Sequence, residues 1–398
     1  MTKKVLVILC VIGMNVLAFG ERVNVKDFGA IPNDGKDDTE AIEKAVQFAN
    51  KLTRSFRPPS SSNIGCAPTV YFPSGHYHIK RQIGVAGTVG LCSDNGKAII
   101  EWIDDLSIAA DKKAAMFLFG WCYTSAVRNL KFIGGNTQLQ FQNPNIDKTV
   151  IDISGCEFYL AKGFSIRAVP VKEADHLSAL LTIRNCKFVG NYQCVETYCD
   201  MTRITDTWVS VEGPITALNR AAFVNTRGRF IMDNMVGVPG ICKDREVMKK
   251  PHQLRWVDNY GTFEAVRTRF GGEGAGMPIV YNYTKNNRKY PYMGGAVISI
   301  TQSWVCAGSK RKDACIIRLF TVPSVVVLRE NTHMVNAPII RVDPSLNIDD
   351  WLKKVPVSRR NNFVYVIKDN YMFPPSLMNG IPEQLRQFFK DKSEYWSK

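Results

Sequence analysis

Short apolar strands interrupted by a polar bend recur through the middle of the chain, and this repetition restricts the fold more than any other feature. "VRNLKF" ends at Phe132, "ISGCEF" at Phe158 and "IRNCKF" at Phe188. Weaker copies follow: "ITDTWV" at Val209, "IMDNMV" at Val236, "VRTRF" at Phe270 and "ITQSWV" at Val305. Successive copies lie 21 to 35 residues apart, within the period range of stacked-repeat architectures. Asn, Asp or Gly marks each bend, as at Asn129, Asn185, Asp206 and Asp233. Cys156 and Cys186 fall at the same place in successive copies. Helical periodicity is nearly absent from residue 111 to residue 370. Units that cannot bury an apolar face alone are expected to stack as parallel coils about 4.8 Å apart, like residue over like. A β-sandwich also uses many short strands, but the unequal spacing and recurring bends argue against it. The expected fold class is all-β, a solenoid of parallel strands.

The chain start supplies the end of such a solenoid. Val23 and Val25 alternate with polar residues and read as a short strand. Gly29, Pro32, Asn33 and Gly35 are turn residues. Asp38 or Thr39 then suits a helix N-cap, and aspartates near it complement the helix dipole. Ala41, Ile42, Ala45, Val46 and Ala49 recur at helical spacing, giving an amphipathic helix to about Leu52. The competing reading of the acidic turn, a calcium loop, lacks the ligand spacing of such loops. "VKDFGAIPNDGKDDTEAIEKAV" closely resembles the N-terminal signature of the pectate-lyase-like superfamily: D-F-G-A, a D-G turn, D-D-T and an A-I helix. "APTVYFPSGHYHI" is similar to the first rung of that family, V-x-F-P-x-G-x-Y. The family includes polygalacturonase-like enzymes, other polysaccharide lyases and hydrolases, and phage tailspikes. The resemblance implies a right-handed parallel β-helix, single-stranded in section, with a short N-terminal capping helix. It covers about the first sixty residues of the mature chain and speaks to fold, not to reaction.

Residues 1–20 read as a signal peptide: Lys3 and Lys4, an apolar run from Val5 to Leu17, then Ala18, Phe19 and Gly20 before Glu21. That run is short for a membrane anchor. The expected organisation is a leader over 1–20 and one β-helix domain over 21–398, capped at about 23–55 and about 371–398. The expected location is secreted, periplasmic or extracellular, without a membrane partner. The chain carries 51 Lys and Arg against 36 Asp and Glu, a net +15. Such a balance bears on partners, not on fold. An acidic polysaccharide suits an exported protein better than nucleic acid, for which no motif is present. The protein is expected to be monomeric. Removal of Cys10 with the leader leaves an even number of cysteines, so disulfides are expected, with Cys306–Cys315 and Cys194–Cys199 as close pairs. Stacked buried thiols are the alternative.

Functional side chains should line the outer face of one sheet. With Val195, Val224, Val257, Val280 and Ile317 taken as inward, the outward column reads Glu196, Asn225, Asp258, Tyr281 and Arg318. Two positions further it reads Tyr198, Arg227, Tyr260, Tyr283 and Phe320. A one-residue slip would invert any rung. A lyase must neutralise a uronate carboxylate, remove the C5 proton and protonate the leaving oxygen. Arg or calcium serves the first task, and tuned Tyr, Lys, Arg or His the others. Arg227 and Arg318 are the candidate clamps, and Tyr260 or Tyr198 the proton-transfer groups. A hydrolase needs two carboxylates, and Glu196 and Asp258, two coils apart, would sit about 9–10 Å apart. The D-D and G-H-G motifs of polygalacturonases are missing, so no family catalytic residue is carried over. Glu273, within "RTRFGGEGAG", is a further catalytic candidate. Arg255, Arg269 and Trp256 are candidate sugar contacts. His76 and His78 read as structural parts of the first rung, and His176 and His252 as loop residues. The expectation is an enzyme on an acidic polysaccharide, a lyase ahead of an inverting hydrolase, with a non-catalytic binding solenoid as the third reading. The sequence names no cofactor and leaves the metal open; calcium is the candidate. "NAPIIRVDPSLNIDDWLKKVP" reads as coil, 364–367 as a last strand, and 382–389 as a terminal amphipathic helix.

Overall fold

The computed structural model describes residues 21–55, 68–86, 88–95, 98–103, 114–120, 124–142, 149–171, 177–211, 221–239, 255–271, 278–283, 297–305, 315–333, 338–355, 357, 363–370 and 381–388. The expected leader, Glu273, His176, His252 and Cys306 lie outside them. The strands belong to three parallel sheets of 12, 10 and 10 strands. Apart from the first pair, Arg22–Asn24 with Thr69–Phe72, each strand pairs with the strand three places away in chain order, one coil on. This is a parallel β-helix, and strand–crossover–strand connections of this kind are right-handed. The chain divides into two compact units, residues 1–181 and 182–398.

In the first unit, the strand Arg22–Asn24 joins Thr69–Phe72 in the first sheet. A 3₁₀ turn, Val25–Phe28, and the helix Thr39–Ser55 follow it. The helix buries Ile42, Ala45, Val46 and Ala49, the four apolar positions of one face. The acidic loop has divided labour. Asp37 Oδ1 accepts the Thr39 N–H at 3.0 Å and so caps the helix. Asp34 caps its own turn through the Lys36 N–H at 2.9 Å. Asp38, 5% exposed, reaches away from the helix to accept Ile31 N–H at 2.9 Å and His78 N–H at 3.2 Å. Burial pushes its carboxyl above the usual aspartate range, against these hydrogen bonds. The loop is thereby fastened to the third-sheet strand Gly75–Ile79.

The second unit shows what turns the corner. At the ends of first-sheet strands, Asn185, Asp206, Asn234, Arg267, Gln302, Glu330 and Asp369 all adopt positive φ, between 48° and 55°. Each N–H up to Glu330 bonds a carbonyl of the next coil. Asn and Asp take this left-handed bend most readily; Arg267 and Gln302 show that stacking imposes it on other residues. The bend of the fifth copy is Asn234, not Asp233, which ends the strand Arg229–Asp233.

Inside, like lies over like. Phe132 stacks on Phe158 in the first unit, centroids 5.4 Å apart, and Phe230 on Phe263 in the second at 6.3 Å. In the third sheet Val209 pairs with Gly237, and Gly237 with Phe270, so Val236 is one residue out of the interior column. Gly237 leaves the space that the Trp256 indole fills: a Cβ there would lie 2.7 Å from the ring. Cys156 and Cys186 are buried as the repeat predicts, their thiols donating to backbone carbonyls. Cys194, Cys199 and Cys315 are buried; Cys306, the other half of the expected Cys306–Cys315 pair, lies outside the described residues. Burial pushes the Cys199 thiol up to about 12. The segment read as coil near residue 350 contains a helix, Ile348–Lys354, capped by Asn347, whose side chain accepts the Asp350 N–H at 3.1 Å. The last strand is Val364–Lys368, and Glu383–Arg386 forms a single helical turn. Among the described residues no helix is long and apolar enough to cross a membrane.

Candidate functional site

The second sheet of the second unit comprises Gln193–Thr197, Ala221–Asn225, Arg255–Asn259, Val280–Asn282, Ile317–Leu319 and Ile340–Val342. Its register gives the interior column as Val195, Phe223, Val257, Val280, Ile317 and Ile340. The outer column is Glu196, Val224, Asp258, Tyr281, Arg318 and Arg341. One rung therefore differs from the expectation: Phe223, not Val224, faces the core. Asn225 consequently points inward, fully buried. Thr226 takes the column place expected for Arg227, bonding Thr197 O through its N–H at 2.9 Å. Arg227 sits exposed at the bend.

Buried Asn225 belongs to a ladder. Its Nδ2 donates to Asn259 Oδ1 at 2.9 Å, and Asn259 Nδ2 donates to Asn282 Oδ1 at 2.9 Å. Asn282 donates to Thr321 O at 3.3 Å. Each ladder residue precedes an outer aromatic or Thr226, so the ladder holds the column that follows it. In that column Tyr260 stacks on Tyr283 at 4.9 Å and Tyr283 on Phe320 at 4.5 Å.

A second irregularity explains the arginine. The N–H groups of Trp256 and Val257 bond successive carbonyls of the next coil, Pro278 O and Ile279 O. Two adjacent residues thus point inward, as at a β-bulge. Trp256 is wholly buried and is no sugar platform. The same shift turns Arg255 outward beside Asp258. Arg255 Nε and Nη2 grip the two Asp258 oxygens, with Arg255 and Asp258 only 5% and 7% exposed. Burial pushes the Asp258 carboxyl up, opposed by Arg255 and a hydrogen bond from Tyr283. Arg255 lies over the Tyr281 ring at 4.8 Å, and Arg318 lies 5.3 Å from the same ring. Arg318 donates to Asp343 Oδ2 from Nε at 3.0 Å and Nη2 at 2.6 Å, and to the Tyr281 hydroxyl at 3.3 Å. Burial raises the pKa of both the Tyr260 and the Tyr283 phenol, helped by the Asp258 charge.

Arg341 completes this rung. It pairs in register with Arg318 on the same face, and its Nε is buried without a hydrogen-bond partner among the described residues. The sequence signal was present, since "IIRL" at Ile316 recurs as "IIRV" at Ile339. Arg269 lies apart, exposed in the third sheet over the Trp304 ring at 4.4 Å. Glu196 and Tyr198 are half-buried at the start of the two columns. A pocket of about 520 Å³ lies over the first-sheet corner, lined by Arg184, Arg203, Asp206, Asp233, Asn234 and Arg267 among others. Its charges largely satisfy one another: Arg267 is bidentate to Asp233 at 2.6 and 2.9 Å, and Asn234 donates to Asp206 at 2.6 Å. Among the described residues, the metal-competent cluster is His76, His78 and Glu101, in the first unit.

Residues 22–95 match the family described as rhamnogalacturonase A/epimerase, pectate lyase-like. The match contains both stretches on which the resemblance was read. The protein is therefore a parallel β-helix whose N-terminal segment is pectate-lyase-like. No curated protein matches the chain. Among solved structures, it is similar to PfbA, a surface adhesin of Streptococcus pneumoniae, at 16% identity and TM-score 0.45, covering 81% of this chain and 88% of that one. The A-module of the mannuronan C-5 epimerase AlgE4 of Azotobacter vinelandii gives 13% identity and TM-score 0.37, covering 81% and 100%. The alginate lyase AlyGC gives 10% and 0.44, covering 89% of this chain but only 40% of that one.

Proposed function

We propose that this is an exported enzyme that cleaves an acidic polysaccharide by β-elimination on the outer face of the second sheet, in the second unit. One observation carries the reading: Arg341 adds a cation with a buried, unpartnered Nε to a rung where Arg318 is already paired. A buried donor of that kind is costly unless a ligand supplies the acceptor. A uronate carboxylate, planar and anionic, suits a guanidinium fork. Charge neutralised there makes the neighbouring C5–H more acidic. The C5 proton passes to a general base, the C4=C5 double bond forms, and the C4–O bond breaks as its oxygen takes a proton from a general acid. Tyr281, expected as a sugar contact, is only 1% exposed beneath Arg255 and Arg318, so its hydroxyl orients Arg318 and does not meet the sugar. Tyr260, whose pKa burial raises, is better suited to donate a proton than to accept one, at a neighbouring sugar.

The hydrolytic alternative is weaker. Glu196 and Asp258 share a column two coils apart, but Asp258 is committed to Arg255. The test is a screen on alginate, pectate, chondroitin sulfate, hyaluronan and heparin, with and without calcium, following the unsaturated-uronate absorbance. A rise that Arg341→Ala abolishes supports the reading. New reducing ends without absorbance would mean hydrolysis, and neither signal on any substrate would leave a binding solenoid.

A further inference from the structure

We propose that His76, His78 and Glu101 form a divalent transition-metal site, with zinc as its natural occupant, on the outer face of the third sheet in the first unit. His76 and His78 stand two apart on the strand Gly75–Ile79, so both imidazoles leave the same face while Tyr77 between them is buried. Glu101, on the adjacent strand Ala98–Trp102, is in register with His78. One ligand atom from each of the three lies within 4.8 Å of the others. Two imidazoles and a carboxylate are a donor set that zinc accepts, with a fourth position left for water.

The details favour a shared ion over a simple ion pair. His76 Nε2 lies 2.7 Å from Glu101 Oε2, and His78 Nε2 lies 3.7 Å from the same oxygen. Yet His76 Nε2 is buried without hydrogen-bond geometry to any partner among the described residues, and so is His78 Nδ1. Donor atoms that crowd together without N–H···O alignment converge on a common point. Tetrahedral coordination at 2.0–2.1 Å sets ligand atoms about 3.3 Å apart. The two observed separations bracket that value, and side chains 16–32% exposed can turn by the few tenths of an ångström required. Access is open for the same reason.

The backbone beneath is fixed. Asn33 Oδ1 accepts the His76 N–H at 3.0 Å, and Asp38 Oδ2 accepts the His78 N–H at 3.2 Å. Asn33 N–H and Asp38 N–H bond the His76 and His78 carbonyls at 2.8 Å each. The acidic loop of the cap therefore presets the strand that carries two ligands. A bound ion would tie loop, strand and second coil together, and folded-state binding raises stability by mass action.

The experiment uses the untagged full chain, stripped with chelator and titrated with Zn²⁺ by calorimetry. Co²⁺ absorption and the thermal midpoint are read in parallel. Wild type is expected to bind one ion, raise its midpoint, and give a four-coordinate Co²⁺ spectrum with no thiolate charge-transfer band. His76→Gln and Glu101→Gln are each expected to lose about tenfold or more in affinity, with unchanged circular dichroism. No binding by wild type, binding that survives both substitutions, or a thiolate band would overturn the proposal. Should either variant misfold, the wild-type cobalt spectrum still decides between these ligands and the cysteines.

Discussion

Replacing Asn259 by Ala removes the centre of the asparagine ladder, and the structure allows the cost to be worked out. Asn259 is fully buried. Its Nδ2 serves Asn282 Oδ1 and Gly261 O, both at 2.9 Å. Its Oδ1 receives Asn225 Nδ2 at 2.9 Å and the Gly261 N–H at 3.2 Å. Asn225 Nδ2 keeps the carbonyls of Gly228 and Thr262 and is not orphaned. Asn282 Oδ1, Gly261 N–H and Gly261 O are left without this partner. Each orphaned buried group costs about 1–3 kcal/mol. Gly261 is half-buried and water can reach it, so the expected loss is about 3–5 kcal/mol, against a typical domain stability of about 5–15 kcal/mol. Asn259→Asp keeps the shape but sets a carboxylate oxygen against Asn282 Oδ1, so it should cost at least as much. Urea unfolding followed by far-ultraviolet circular dichroism measures both. A cost below about 1 kcal/mol for Asn259→Ala would mean that water replaces the ladder, and the account of how Tyr260 and Tyr283 are held would be wrong.

Further consequences can be checked the same way. Gly237→Val puts a Cβ 2.7 Å from the Trp256 ring and should cost about 1–3 kcal/mol by overpacking; Trp256→Phe in the same chain should recover part of it in thermal melts. Arg255→Met strands the buried Asp258 carboxylate and should cost about 3–5 kcal/mol, whereas Arg255→Met with Asp258→Leu should be much milder. Asp343 is raised by burial but held below the ordinary 3.8 overall by Ser345 and Arg318. A depressed carboxyl lends stability above its unfolded value and loses it as pH falls through the folded one, so below pH 3.8 Asp343→Asn should flatten the acid loss of stability measured by urea titration.

What was legible in the sequence was local. The bends at Asn129, Asn185 and Asp206 and the phenylalanines behind them announce themselves because backbone strain and stacking restrict residue type. The strand "AAFVN" offers no such mark. Phe223 and Val224 are both apolar, and only the register with Val195 and Val257 says which faces in. Choosing the wrong one moved Asn225 and Arg227 together, as a period of two demands. The polarity of Asn225 suggests solvent, while the ladder with Asn259 and Asn282 satisfies its buried amide by stacking. Trp256 was beyond reach because a bulge is a property of hydrogen bonding with the next coil, not of the strand. Arg341 does carry a mark, since "IIR" recurs at Ile339 one coil after Ile316. His76 and His78 were assigned to structure because Glu101 lies 25 and 23 residues away in sequence, joined to them only by the sheet.

The same pairing logic changes which residues carry weight in the chemistry. Read from the chain alone, two carboxylates and two arginines on one face leave lyase and hydrolase nearly even. The fold spends Asp258 on Arg255 and Asp343 on Arg318. An arginine-bound, buried carboxylate is a poor general base, because taking up a proton would leave its guanidinium uncompensated. Those arginines are in turn half-neutralised, so neither attracts an anion as strongly as its formal charge suggests. The net attraction of the rung rests on Arg341. Arg341→Ala should therefore weaken binding of a uronate chain more than Arg255→Met does, although Arg255 is the more deeply buried. Affinity electrophoresis in gels cast with alginate or pectate ranks the two variants directly. An equal loss in both, with both proteins folded, would show that the face acts through its summed charge and not through one uncommitted guanidinium.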